Sequence, residues 1–356
     1  GMRVAWMILA DVTTRFLDMG EATRAAIALA EQGVIADAYF PGQGPTAHLM
    51  PAMILVAGAL FHLFGVDSAG AALALAGWAM AQMLCGFALL YCLFRKVESN
   101  RRIAFAGLAL LCLSPAYIAQ EAADFRYWEG GLGVCLGTAN LLLIVMLDGR
   151  ERIGTPALLF GALLAGAAFF VSPPVGVAVD ACWAWLAFRR LSPLRILGFA
   201  GMGAAGLALF LVPWTMRNQA VMGEPIFLRS NFGLEIAIAN HPAAVSGENQ
   251  RETLRARMAE IHPFSGPQAA ERMKAAGGEV AYSRMLGEQT RAWIAANPWD
   301  FLRLTLRHYR QFYIPDMWQE ALTNWHAYTR PRILFIRAVG VLGLIGLCVG
   351  LIRRRR

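Results

Sequence analysis

Apolar positions along this chain gather into long runs separated by short charged segments. No Asp, Glu, Lys or Arg occurs from Ser68 to Phe94, Ile103 to Gln120, Gly130 to Leu147, Ile153 to Val179, or Ile196 to Met216. Uncharged, mostly apolar runs of about 18 residues or more have the length that a bilayer-spanning helix requires. The pattern predicts eight crossings, over residues 3–17, 70–94, 103–120, 129–148, 154–171, 174–188, 196–213 and 333–352. The first is abbreviated, because only seven uncharged residues separate Arg3 from Asp11. The stretch 38–66 is also free of charge, but it contains Pro41, Pro45, Pro51, His48 and His62. Counting it as a crossing would carry the basic residues at 95–102 to the other side, so residues 47–64 read as a helix lying against or dipping into the outer leaflet. Gly1 before Met2 is expected to be an expression remnant, and no cleavable signal with a proper apolar centre is expected.

Composition agrees with the runs. The 356 residues are 57% hydrophobic and 16% charged, with a mean hydropathy of +0.47, whereas soluble domains carry about 25% charge. A disordered chain, a disulfide-knit secreted domain and a nucleic-acid-binding module are excluded. The net charge of +8 is not a footprint for a polyanion. Its cations sit between the apolar runs, at Arg95, Lys96, Arg101 and Arg102, at Arg150 and Arg152, at Arg189, Arg190 and Arg195, and at Arg353 to Arg356. Such clusters mark cytoplasmic turns, which puts both termini inside. All six cysteines fall within predicted spans and read as small packing residues.

Three domains follow: a transmembrane bundle over 1–213 with a first outer loop at 18–69, an outer, mainly helical domain over 214–332, and a last span with a basic tail over 333–356. Within the outer domain, Asn297-Pro298 supplies an N-cap and a proline at the first helical position. Leu302, Leu306, Tyr309 and Tyr313 then recur at helical spacing beside Arg303, Arg307 and Arg310. Two readings stay open for this helix: one lying in the headgroup layer, or one packed in the outer domain with a solvated basic face.

GxGxxG, Walker-type GKS or GKT, HExxH, CxxC and GxSxG are all missing. The six histidines show no metal-ligand spacing and read as structural. What remains is acid and arginine at the outer face. The first loop offers Asp18, Glu21 and Arg24, and the loop before the fourth span offers Glu121, Asp124, Arg126 and Glu129. A single carboxylate at a helix start is ordinarily a dipole partner. Several acids and an arginine converging at a dry boundary can instead have their proton affinities tuned for acid–base work. Asp180 lies within a span, where acids line cavities or pair with cations.

The segment Phe16-Leu-Asp-Met-Gly-Glu-Ala-Thr-Arg-Ala-Ala-Ile-Ala-Leu-Ala-Glu-Gln-Gly33, with Gly44-Pro-Thr-Ala47, Pro51 and Leu63-Phe-Gly65, resembles the first outer loop of bacterial glycosyltransferases of the GT-C fold, of the protein O-mannosyltransferase and aminoarabinose transferase type. Pro213-Trp-Thr-Met-Arg-Asn218, Arg229-Ser-Asn-Phe-Gly-Leu-Glu235 and Asn240-His-Pro242 resemble the junction after the seventh helix of that group. The resemblance implies an all-α membrane bundle with membrane-parallel helices in the first loop. It also implies a sugar donor linked through phosphate to a polyprenyl lipid, a lipid, polysaccharide or protein acceptor, and a site on the outer face of the bacterial inner membrane. Glu21 would be the general base with Asp18 as its rival, and Glu129 would orient acceptor or sugar. Arg217, Arg229 and Arg126 would bind the donor phosphate, and Asn218, Asn231, His241 and Asp180 would line the cavity. Two features depart from the family. Its first-loop acid is commonly Asp, and many relatives are longer. Asp18, Glu21 and Glu129 are oxygen donors of the kind that hold Mg²⁺ or Mn²⁺, but without a DxD motif the sequence favours metal independence. The competing readings are a transporter or flippase of lipid-linked sugars and a non-catalytic assembly subunit of GT-C type.

Overall fold

The structure is a computed structural model, and it describes residues 20–97, 100–113, 124–246, 249–322 and 329–354 together with Ala5 and Ile8. Among these the chain is helical throughout; its one extended pairing is the isolated bridge between Ala36 and Pro45. Contacts divide the described residues into two compact units, one ending at Arg229 and the other beginning at Ser230.

The first unit holds α1 (Glu21–Gln32), α2 (Pro51–Phe64), α3 (Ala69–Val97), α4 (Arg101–Leu113), α5 (Gly130–Asp148), α6 (Thr155–Val171), α7 (Pro173–Arg190) and α8 (Pro193–Met222). Proline sets the first turn of α2, α6, α7 and α8, where its missing N–H costs nothing and its fixed φ suits a helix. Four stretches are long and apolar enough to cross a membrane: α3, α5, α8, and Ile333–Ile352 of the second unit. The other predicted crossings do not meet that measure among the described residues. α6 has 17 residues, about 26 Å at 1.5 Å per residue against a hydrocarbon core of about 30 Å. α7 carries Asp180, Arg189 and Arg190, and the described part of α4 is 13 residues. The predicted first span lies outside the described residues except for Ala5 and Ile8. α8 passes through Pro213 to Met222 and ends at Gly223 in the left-handed conformation, nine residues beyond the end predicted for that span.

Small residues let the helices approach. A Cβ on Gly166 would meet the Gly206 carbonyl oxygen at 2.7 Å, and one on Gly206 the Ala162 oxygen at 2.8 Å, so α6 and α8 touch backbone to backbone. α5, α6 and α7 are joined by a buried polar clamp. The Asn140 amide donates to the Leu136 and Leu164 carbonyls at 2.8 and 3.2 Å, and the Trp183 indole N–H donates to Asn140 Oδ1 at 2.8 Å. At one end of the bundle Arg190 donates to the Asp148 and Arg150 carbonyls and Arg195 to the Ile153 carbonyl. Two of the basic clusters thus meet at the same end. α5 ends there and α8 begins there, so Glu129, just before α5, and Arg217, near the end of α8, both lie toward the other end.

The second unit contains α9 (Phe232–Ala239), α10 (Pro242–Ser246), α11 (Gln250–Ile261), α12 (Pro267–Ala275), α13 (Glu279–Ala296), α14 (Pro298–Tyr313) and α15 (Thr329–Arg354). α14 begins where Asn297-Pro298 predicts. The Asn297 side chain does not cap it; its amide donates back to the Trp293 carbonyl at 2.9 Å, closing the end of α13.

Candidate functional site

The first loop builds its own small core. Ala22, Ala25 and Ala26 of α1 meet Ile54, Ala57 and Phe61 of α2, and Ile35, Ala38, Ala47, Tyr127 and Trp214 join the same cluster. Between the two helices the chain turns at Gly42 and Gly44, both at positive φ, in the Pro41-Gly42 and Gly44-Pro45 context that favours turns. Asp37 fastens this turn: its N–H donates to the Gly44 carbonyl at 3.0 Å and its carboxylate accepts from the Gly44 N–H at 2.9 Å.

That turn aims two side chains at Glu21. His48 Nε2 lies 2.9 Å from Glu21 Oε2, and the Tyr39 hydroxyl lies 2.7 Å from His48 Nδ1. Tyr39 and His48 are buried, while the Glu21 side chain keeps 13% of its surface exposed. In the tautomer with its proton on Nε2, the ring donates to the carboxylate and Nδ1 accepts from the tyrosine hydroxyl. The chain is held from outside as well. Arg24 donates to the Tyr39 carbonyl at 2.8 Å, and the His48 N–H donates to Thr46 Oγ1 at 3.1 Å.

Glu129 directly precedes α5, and its Oε1 accepts from Arg229 Nη2. The loop before it is pinned twice. Gln82 of α3 donates to the Phe125 carbonyl at 2.8 Å, and Tyr127 packs on Phe61 with ring centroids 6.4 Å apart. Arg126 is buried with its guanidinium 5.4 Å from the Tyr127 ring centroid.

Arg217 does something the sequence does not announce. Its Nη1 donates to the Thr46 carbonyl at 2.8 Å and to Asn218 Oδ1 at 3.0 Å, its Nη2 donates to the Ile35 carbonyl at 2.6 Å, and the group stacks 5.2 Å from the Trp214 ring. The fork expected to grip a phosphate grips both ends of the first-loop turn. Asn218 is fully buried and donates to the Ile226 carbonyl at 2.8 Å, while the Trp214 indole donates to the Leu228 carbonyl at 2.8 Å. These side chains tie the end of α8 to two loops.

The structure therefore gathers Glu21, Glu129, Arg126, Arg217, Asn218 and Arg229 within the first unit, several of them around one apolar core. Asp18 and Glu121 lie outside the described residues. Asp180 does not join the group; it lines a separate cavity of about 330 Å³ with Trp183, Gly203 and Leu207. Asn231 and His241 belong to the second unit. There the buried Asn231 amide donates to Glu235 Oε1 at 2.9 Å, and burial, aided by Arg257, pushes the His241 pKa down. Sequence reasoning missed Tyr39 and treated His48 as structural, because 27 residues separate His48 from Glu21 and no periodicity connects them. The turn residues around Pro41 and Pro45 were the available signal.

Among the described residues no three His, Cys, Asp or Glu side chains converge as a metal site would require. Glu21 is directed at His48 and Glu129 at Arg229, and Asp18, the third oxygen donor considered, lies outside the described residues. Comparison of the chain with protein-family models, with curated proteins and with solved structures finds no match in any of the three.

Proposed function

We propose that this chain is a membrane glycosyltransferase that moves a sugar from a polyprenyl-phosphate donor to a hydroxyl or amine acceptor at the outer face of a bacterial plasma membrane. The observation that carries the reading is the Tyr39–His48–Glu21 chain: a glutamate whose side chain keeps 13% of its surface exposed, oriented by a buried imidazole that a tyrosine hydroxyl meets at its other nitrogen. That is the construction of a positioned general base. It sits in the loop whose residues resemble the GT-C first outer loop, at the end of the bundle opposite the paired basic turns.

In the proposed reaction the acceptor oxygen or nitrogen attacks the anomeric carbon as the carbon–oxygen bond to phosphate breaks, with inversion. Glu21 takes the acceptor proton, and the phosphate leaves with the electron pair. Arg229, held by Glu129, and Arg126 are the cations offered to the phosphate, since charge that grows during bond breaking is best met by groups already in place. Arg217 takes a supporting role, holding the turn that carries Tyr39 and His48. Leu55, Leu63 and Phe64 of α2 are exposed, which suits a helix lying against lipid where a polyprenyl chain enters.

A second reading has an observation in its favour. Arg217 is committed to loop carbonyls and Arg229 to Glu129, as in a non-catalytic subunit that keeps the scaffold and uses these two cations for structure. Purified protein supplied with polyprenyl-phosphate sugars and a panel of acceptors separates the two. Release of polyprenyl phosphate together with a glycosylated product supports the transferase. Failure to turn over any donor, with no such lipid among the copurifying lipids seen by mass spectrometry, favours the subunit.

A further inference from the structure

α14 is two-faced in an unusual way. Leu304 and Gln311 are buried on one side, and Arg307 on that flank donates to the Ala244 and Val245 carbonyls at 2.9 and 3.2 Å. On the opposite side Trp299, Leu302, Leu306, Tyr309 and Phe312 stand open, Trp299 and Phe312 at 78% and 77% exposure. Their spacing of three or four residues aligns them along one stripe about 20 Å long. A water-facing domain surface rarely carries so large a contiguous apolar patch. Arg303 and Arg310 border it, with side chains 66% and 51% exposed, the first 3.5 Å from the Asp300 carboxylate and the second 2.6 Å from that of Asp316.

The far end of this helix is tied to a membrane-crossing segment. A Cβ at Gly340 would collide with the carbonyl oxygen of Tyr313, the last residue of α14, so the two backbones touch. Arg337 donates through Nε to the Pro315 carbonyl at 2.6 Å. Both contacts fall within the first turns of the Ile333–Ile352 span. The end of α14 is therefore at the membrane boundary, and its apolar stripe leads away from that point.

We propose that α14 lies in the headgroup layer of the bilayer, its Trp299–Phe312 stripe inserted toward the acyl chains and Arg303 and Arg310 set against lipid phosphates. Aromatic and leucine residues beneath arginines are the composition such interfacial helices use, and Trp and Tyr favour that depth. The occupant of this face is anionic lipid, and the assignment is independent of the transferase reading.

The test places the full-length protein in nanodiscs of phosphatidylcholine with phosphatidylglycerol, part of the lipid carrying bromine on its acyl chains. The difference in emission between the protein and its Trp299→Phe variant isolates Trp299. Quenching of that signal by brominated lipid, with little quenching by aqueous iodide, is the expected result, and the variant's normal circular dichroism establishes that it folds. Arg303→Gln should reduce the lipid quenching by about twofold when phosphatidylglycerol is present and leave it unchanged in phosphatidylcholine alone. Strong iodide quenching without lipid quenching would overturn the proposal. So would a Trp299 shielded from both quenchers in a nanodisc containing two copies of the chain, which would give the face to a second protomer.

Discussion

Two buried polar chains in the first unit end differently. Between α5, α6 and α7, the polar atoms of the Asn140 and Trp183 side chains meet one another or a helix carbonyl inside the bundle. In the first loop, Tyr39 and His48 are as deeply buried, but their chain runs out to Glu21, whose side chain keeps 13% of its surface exposed. The first arrangement can only lock helices together. The second can hand a proton to or from something that arrives. Burial and hydrogen bonding alone do not distinguish structure from chemistry; what lies at the end of the chain does.

The largest effect on stability is expected from breaking the closed chain. Asn140→Leu leaves the Trp183 N–H without its acceptor, a loss of about 1–2 kcal/mol for a polar contact among membrane helices. The thermal midpoint in detergent should fall while any transfer activity per folded molecule is retained. An unmoved midpoint would remove the contrast between the two regions.

Next in size is the support of the open chain. Arg217→Lys keeps the charge but loses the planar fork that holds the Ile35 and Thr46 carbonyls. Limited proteolysis within residues 35–48 should quicken about tenfold, corresponding to roughly 1.4 kcal/mol, the scale of one hydrogen bond from a charged group. Helical content should not change. If proteolysis is unchanged and only donor affinity drops, Arg217 is a phosphate ligand and the loop needs no such tether.

How much of this was legible in the sequence depended on the kind of signal. Charge-free runs announced α3, α5 and α8 because spanning a bilayer imposes a length, and Asn297-Pro298 announced the start of α14. Glu21 was legible as an acid opening a helix. Its partners were not, since Tyr39 and His48 reach it only through a turn whose closure depends on Asp37, Gly42 and Gly44. Arg217 was legible as a cation at the end of a span, but backbone carbonyls have no sequence signature, so its commitment to Ile35 and Thr46 was hidden. Asn297 was read correctly in position and with its direction reversed, because an asparagine between two helices can serve either.

A smaller effect lies in the second unit, where two histidines have depressed pKa values. Burial, then Arg257, lowers the His241 pKa against the opposing pull of Glu260, and burial, then Arg307, lowers that of His308. A histidine whose folded pKa is depressed adds stability that is present above its ordinary value of 6.5. As pH falls below 6.5 the unfolded chain takes up protons that the folded one resists, so stability declines until the folded pKa is passed. The midpoint should drop between about pH 7.5 and about pH 5.5, and His241→Gln with His308→Gln should flatten that dependence.

The central claim is that the carboxyl of Glu21 does chemistry and does not merely complete a buried pair. Its most direct test is the rate of sugar transfer from a polyprenyl-phosphate donor by Glu21→Gln beside the unaltered protein, each normalised to folded material by its melting curve. Glutamine keeps an oxygen for the His48 N–H but cannot take up a proton at neutral pH. The expected result is a melting midpoint near that of the unaltered protein with transfer reduced by about 10²- to 10⁴-fold, the range of general-base catalysis. Full turnover by the variant would contradict the claim and leave Glu21 a structural partner of His48.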